Sequence, residues 1–195
     1  PWLAMEYCII GSLRQRINKI SLSEALTIAI YICEALYYTH HRGIVHRDIK
    51  PENILFNSSN IPKLTDWGLG KMMLDISLQS GYSGTPAYSS PEQIKSDDFG
   101  EIDTRTDIYQ LGIILYEMVT KQRPFDGKSS FETATNIVKG NYIKASKINT
   151  LIPRNIDIDS VIDKCLAKEK KNRYQDASIL KSVLEEILIK SQSTH

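Results

Sequence analysis

Residues 107–119, Asp-Ile-Tyr-Gln-Leu-Gly-Ile-Ile-Leu-Tyr-Glu-Met-Val, are apolar on nearly every side of a helix. Such a helix has no face for solvent and belongs inside a domain, so other elements must surround it. Gly112 costs about 1 kcal/mol against Ala in a helix, which predicts that another element packs closely there. Candidates for the surrounding layer are legible along the chain. Ser21-x-x-Glu24 is a capping box, and Leu22, Leu26, Ala29, Cys33, Leu36 and Tyr37 form one apolar face behind it. His40, His41, Arg42 and Gly43 then supply a C-terminal signal. Adjacent histidines on a helix do not face one metal site, so they read as helix-end charge. Ser129-x-x-Glu132 opens a helix that ends at Lys139-Gly140. Ile158, Val161, Ile162, Cys165 and Leu166 mark another, and Ala177, Leu180, Leu184, Ile187 and Leu188 a last one. The expected fold class is α+β, mainly α-helical, with a few short strands.

Those strands are expected around Ile44-Val45-His46-Arg47-Asp48-Ile49-Lys50-Pro51-Glu52-Asn53-Ile54-Leu55. Apolar β-formers on both flanks predict short buried strands holding a charged loop between them. One braced turn then carries a carboxylate (Asp48), a cation (Lys50) and a carboxamide (Asn53). Phosphoryl transfer needs a group to orient the attacking hydroxyl, a cation near the moving phosphoryl group, and oxygen ligands for Mg²⁺. These three side chains match those needs in order. Lys63-Leu64-Thr65 reads as another short strand ending in Asp66-Trp67-Gly68, where a carboxylate can reach a metal held by Asn53. Residues 1–8 read as an apolar strand running into a polar connector at Gly11-Ser12-Leu13.

The run His46 to Asn53 resembles the catalytic loop of eukaryotic-type (Hanks-type) serine/threonine protein kinases. Other stretches resemble the same family, in its order. Asp66-Trp67-Gly68 is similar to its metal-binding motif, with Trp in place of the usual Phe. Residues 84–92, Gly-Thr-Pro-Ala-Tyr-Ser-Ser-Pro-Glu, resemble the substrate-docking end of an activation segment. Residues 107–119 resemble the central helix of the large lobe. The resemblance implies Asp48 as base, Lys50 at the phosphoryl group, and Asn53 and Asp66 as Mg²⁺ ligands. It makes Thr85 the hydroxyl that ties its segment to Asp48 and Lys50. ATP would meet Met5 as gatekeeper, the backbone of Glu6, Tyr7 and Cys8, and Ser12, Leu55 and Asp66. Structural roles fall to His46, Arg47, Trp67 and Gly68, to Asp107 as holder of the loop backbone, and to a Glu92–Arg173 pair. On local grounds alone, Asp107 is a helix N-terminal charge and Arg173 a surface charge. Ser77, Ser80, Tyr82 and Ser83 are candidate phosphorylation sites that Arg47 could pair with; the plain alternative is solvated loop hydroxyls. Lys50 matches Ser/Thr rather than tyrosine kinases, and Glu52 matches an acidic position that favours basic substrate residues in some kinases.

The chain's 195 residues contain no glycine-rich phosphate loop. Nor do they show the strand Lys or helix Glu of that family. The expectation is that these precede Pro1. Residues 1–10 would then be the last small-lobe strand and hinge, 11–190 the large lobe and 191–195 a polar tail. The implied partners are ATP, Mg²⁺, a protein substrate with Ser or Thr, and the missing small lobe of the same chain. Two other readings share parts of this pattern: a non-catalytic pseudokinase scaffold, and a small-molecule kinase akin to the aminoglycoside phosphotransferases, which lack the 84–92 pattern. A net charge of +1 with no basic stripe leaves no nucleic-acid footprint. No apolar run approaches the roughly 20 residues that span a bilayer. Cys8, Cys33 and Cys165 are far apart, and their odd number fits a reducing cytoplasm.

Overall fold

A computed structural model of the chain describes residues 6–67 and 86–192. Met5, Gly68, Ser77, Ser80, Tyr82, Ser83 and Thr85 therefore lie outside the described residues. In chain order the helices are α1 (Leu13–Arg16), α2 (Leu22–His40), α3 (Pro91–Ile94), α4 (Ser96–Phe99), α5 (Thr104–Thr120), α6 (Ser130–Lys139), α7 (Ala145–Ile148), α8 (Ile158–Cys165) and α9 (Ala177–Gln192). The strands β1 (Gly11–Ser12), β2 (Ile54–Phe56) and β3 (Pro62–Leu64) form one antiparallel sheet in that order.

The apolar run does form the buried centre. Its helix, α5, starts earlier than the run because Asp103 caps it, accepting the Arg105 N–H at 2.9 Å. It stops at Lys121, whose φ of 63° turns the chain left-handed. Every residue from Thr106 to Thr120 is buried. A Cβ added at Gly112 would lie 2.5 Å from Cys165 Cβ, so α8 presses against α5 at the expected point. The capping box of α2 is formed in both directions: Glu24 N–H donates to Ser21 Oγ at 3.2 Å, and Ser21 N–H to Glu24 Oε2 at 2.9 Å. Helix α2 packs on α5 and α9 through Leu26, Ala29, Cys33 and Leu36, all fully buried. Tyr37 departs from that face and stays 43% exposed. Ser129 caps α6 and left-handed Gly140 ends it, as their positions predict. No helix among the described residues is long and apolar enough to cross a membrane.

Three expectations change. Ile44-Val45 is not a strand: its residues pair with nothing in the sheet, and Ile44 is exposed. After the left-handed turn at Gly43 the chain is held instead by side chains of α5, so β-propensity has no ladder to join. Glu6 to Cys8 is also irregular, and the first described strand falls at Gly11–Ser12, where a polar connector was expected. Gly11 pairs with Phe56 and Ser12 with Leu55, so hydrogen bonding to β2 sets that strand. Finally, α9 runs through Ser191 and Gln192, into the stretch read as a tail.

Candidate active site

The loop after α2 is bolted to the buried helix. Asp107 accepts the backbone N–H of His46 at 2.9 Å and of Arg47 at 2.8 Å, one carboxylate oxygen each. One turn further along α5, Gln110 accepts the Ile49 N–H at 2.9 Å and donates to the Arg47 carbonyl at 2.9 Å. Gln93, from α3, donates to the same carbonyl at 2.7 Å. These bonds hold Arg47 at φ 71°, a region that non-glycine residues enter at a cost of order 1–3 kcal/mol. The loop therefore has little freedom to drift.

His46 is fully buried and ties the loop to the next strand. Its Nδ1 accepts the Asp48 N–H at 3.3 Å, so the proton sits on Nε2 and is donated to the Thr65 carbonyl at 2.7 Å. Trp67 packs edge-on against His46 at 4.6 Å and anchors its indole N–H on the Leu64 carbonyl at 2.9 Å.

Three side chains meet on this frame. Lys50 Nζ lies 2.8 Å from Asp48 Oδ2. Asn53 Nδ2 donates to the Asp48 carbonyl at 2.8 Å and to Asp48 Oδ2 at 3.2 Å. Both partners are acceptors, so the amide nitrogen must face them and Asn53 Oδ1 points away, available to a cation. Thr65 N–H and Oγ1 both donate to the Asn53 carbonyl, at 2.9 and 3.3 Å. Asp66, the next residue, is exposed and left-handed at φ 64°. A hard divalent cation takes oxygen ligands, and Asn53 Oδ1 with the Asp66 carboxylate fits Mg²⁺. Among the described residues no group of three or more His, Cys, Asp or Glu side chains could hold a metal ion.

Of the residues expected to meet a nucleotide, two are neighbours in the sheet. Ser12 sits across the sheet from Leu55, which brings those two residues together. Glu6 is turned toward β3 and its turn, accepting from Asn57 Nδ2 at 3.0 Å and lying 3.2 Å from Lys63 Nζ. Hydrogen bonds from Asn57 and Lys63 hold its carboxyl below the usual range. Tyr7 is 85% exposed and Cys8 half-buried.

Below the loop, Glu92 and Arg173 form a fully buried pair, Nη1 to Oε1 at 2.7 Å and Nη2 to Oε2 at 2.8 Å. Local sequence would leave Arg173 at the surface; the pairing resolves that in favour of burial.

Several residues were not singled out for this site. His40 is not a solvated helix-end charge: its side chain is 5% exposed, with Nε2 2.8 Å from Asp107 Oδ2. Gln93, Gln110 and Thr106, which donates to Glu92 Oε1 at 2.6 Å, also brace it. The signal for part of this set was present. Asp107, Gln110 and Glu117 lie within one narrow stripe of an otherwise apolar helix, and buried polar groups need partners.

The geometry defines a helix-rich α+β domain that presents a pinned, charged loop beside a small sheet. A family model described as protein kinase domain matches residues 1–185, and the chain belongs to that family. It is 35% identical over 190 residues to the serine/threonine-protein kinase PknB of Mycobacterium leprae, covering 94% of this chain and 30% of that protein. The identity is 34% over 191 residues to PknB of Mycobacterium tuberculosis, again 94% of this chain and 30% of the relative. It is 37% over 191 residues to a probable serine/threonine-protein kinase of Clostridium perfringens, 95% of this chain and 27% of the relative. The chain thus spans about 30% of the length of these curated relatives.

Proposed function

We propose that the chain is the large-lobe part of an ATP- and Mg²⁺-dependent serine/threonine protein kinase. In the intact protein it would transfer the γ-phosphoryl group of ATP to Ser or Thr hydroxyls of a protein substrate. The observation that carries this reading is the Asp48–Lys50–Asn53 cluster on a loop pinned by Asp107 and Gln110. In the reaction a bond forms between the substrate oxygen and the γ-phosphorus, the bond to the β-phosphate oxygen breaks, and ADP leaves. Asp48 orients the hydroxyl and takes its proton, a role worth roughly 10²–10⁴-fold in general. Lys50, paired with Asp48, offers its ammonium to the phosphoryl oxygens. Asn53 and Asp66 would hold Mg²⁺, which supplies charge neutralisation at the phosphates.

The adenine would lie against Met5 and the backbone of residues 6–8, with Ser12 and Leu55 beside it. A small lobe joined before Pro1 would complete the phosphate clamp. The reading extends to Thr85 as a tie to Asp48 and Lys50, and to Ser77, Ser80, Tyr82 and Ser83 as hydroxyls whose phosphate could meet Arg47. The reading places this domain in a reducing cytoplasm, in keeping with an odd number of cysteines far apart in the sequence.

The test is transfer of labelled γ-phosphate to a protein mixture by the chain joined to its upstream small lobe, followed by phosphoamino-acid analysis. Mg²⁺-dependent label on Ser and Thr is expected. Tight Mg²⁺-ATP binding with no transfer would overturn the enzyme and favour the scaffold.

A further inference from the structure

The backbone of a residue is set by the planar peptide before it and the planar peptide after it. At Asp48 every polar group of both peptides is held. In the peptide before it, the Arg47 carbonyl accepts from Gln93 Nε2 at 2.7 Å and from Gln110 Nε2 at 2.9 Å, while the Asp48 N–H donates to His46 Nδ1 at 3.3 Å. In the peptide after it, the Ile49 N–H donates to Gln110 Oε1 at 2.9 Å and the Asp48 carbonyl accepts from Asn53 Nδ2 at 2.8 Å. Among the described residues, Gln110 is the side chain that grips both peptides. Asp107 acts upstream of this point, on the N–H groups of His46 and Arg47.

This grip requires a carboxamide, because one end must donate while the other accepts. Methionine does neither, and an ionised glutamate only accepts. Gln110 is 2% exposed, so water offers no replacement for a lost partner. Its Nε2 also donates to Gln93 Oε1 at 2.9 Å. Gln93 belongs to α3, directly after the stretch read as the docking end, and the same Oε1 accepts the Ser90 N–H at 3.0 Å. Two amide side chains thus join the docking end to the backbone on either side of Asp48.

We propose that Gln110 is a positioning residue for Asp48, and that Gln93 makes the aim of Asp48 depend on the seating of the docking end. Gln110 acts through Asp48 rather than on the substrate. By fixing both flanking peptides it fixes the direction in which the carboxylate leaves the backbone. If the docking end shifts, the Arg47 carbonyl loses the Gln93 donor and one Gln110 hydrogen loses its acceptor. A seated docking end and an aimed base then come together. This link runs through the backbone, apart from the tie expected of Thr85 to Asp48 and Lys50. The role assigned to Asp48 rests on the kinase reading above.

The test uses the small-lobe-joined protein with Gln110→Met, Gln93→Met and the double variant. Steady-state transfer to a Ser-containing peptide is measured together with amide hydrogen exchange at His46, Arg47 and Ile49. Gln110→Met should lower kcat about tenfold to a hundredfold, the scale of a misplaced catalytic group, with KM for ATP and peptide little changed. Exchange at Ile49 should quicken while His46 and Arg47, held by Asp107, keep their rates. Gln93→Met should lower kcat less and raise the peptide KM, because the docking end is loosened. The double variant should lose less than the product of the single losses, since the two amides share the Arg47 carbonyl and bond each other. If Gln110→Met does not fold, Gln110→Asn, one methylene shorter, carries the same comparison. Undiminished kcat in the Gln110 variant overturns the positioning role. Equal quickening at His46, Arg47 and Ile49 does so too, because it marks general loosening. Strictly multiplicative losses overturn the link through Gln93. A parent that transfers nothing refutes the kinase reading instead, and the contrast in exchange between Ile49 and His46 then decides whether Gln110 holds the backbone of Asp48.

Discussion

Arg173→Met should be among the most damaging single substitutions outside the loop. The Arg173 guanidinium donates to both oxygens of Glu92 and to the carbonyls of Ala167, Lys168 and Arg105, at 2.8, 3.0 and 3.1 Å. Both side chains are 0% exposed. Methionine fills part of the volume but leaves the Glu92 carboxylate buried with Thr106 Oγ1 as its one side-chain donor among the described residues, and strips three carbonyls of one partner each. Breaking a buried pair from one side costs about 3–5 kcal/mol, a large share of the roughly 5–15 kcal/mol that stabilises a typical domain. Replacing both partners, Glu92→Leu with Arg173→Met, should cost less than the single change, because no charge is then stranded. The pH dependence gives a second handle. Burial pushes the Glu92 carboxyl up, but the hydrogen bonds and charge of Arg173 outweigh it and hold the group below its usual value of 4.5. In the native protein the pair's contribution is complete above that value and lost as pH falls through the lower folded one. Without Arg173 the dominant influence left is burial, which should raise the carboxyl's folded value. The penalty then exists only above the raised value and is relieved as pH falls through it. Urea unfolding of native, single and double variants at pH about 7.5 and about 5 should show the single variant's deficit shrinking at the lower pH. A deficit below about 1 kcal/mol, a deficit indifferent to pH, or a double variant as unstable as the single would refute the reasoning.

Gly112→Ala places a Cβ 2.5 Å from Cys165 Cβ and 3.2 Å from Leu166 Cδ2, so α5 and α8 must part. A loss of about 1–3 kcal/mol is expected in thermal or urea denaturation, and an unchanged midpoint would mean the two helices give way freely. Asp107→Ala removes the acceptor for two loop N–H groups and for His40, at about 1–3 kcal/mol for each buried group left unsatisfied. Hydrogen exchange at His46 and Arg47 should quicken and transfer should fall while α5 stays folded. Unchanged exchange at those amides would show that Gln110 and Gln93 suffice to hold the loop.

Much of the helical scaffold could be read from the sequence because its signals are local. Ser21 with Glu24, and Ser129 with Gly140, cap their own helices, so a few adjacent residues specify each end. The all-apolar run at 107–119 announces its own burial in the same way. The strands were less legible because their residues depend on distant partners. Ile44 and Val45 have the right side chains and no ladder, while Gly11 and Ser12 have the wrong ones and pair with Phe56 and Leu55. The site divides along the same line. Asp48, Lys50 and Asn53 sit within six residues and declare their chemistry together. His40 and Asp107 are 67 positions apart, and nothing local tells a buried imidazole from a solvated one at a helix end. Gln93 gave no hint either, since its partners Arg47 and Gln110 come from two other parts of the chain.

The central claim is that Asp48 and Asp66 carry separate halves of one phosphoryl transfer. The most direct measurement compares labelled transfer and Mg²⁺-dependent ATP binding in the small-lobe-joined protein and its Asp48→Asn and Asp66→Asn variants. Asp48→Asn should cut turnover by about 10²-fold or more with ATP binding intact. Asp66→Asn should lose the Mg²⁺-dependent part of binding as well as turnover. Undiminished transfer in either variant, or the same pattern of loss in both, would contradict that division.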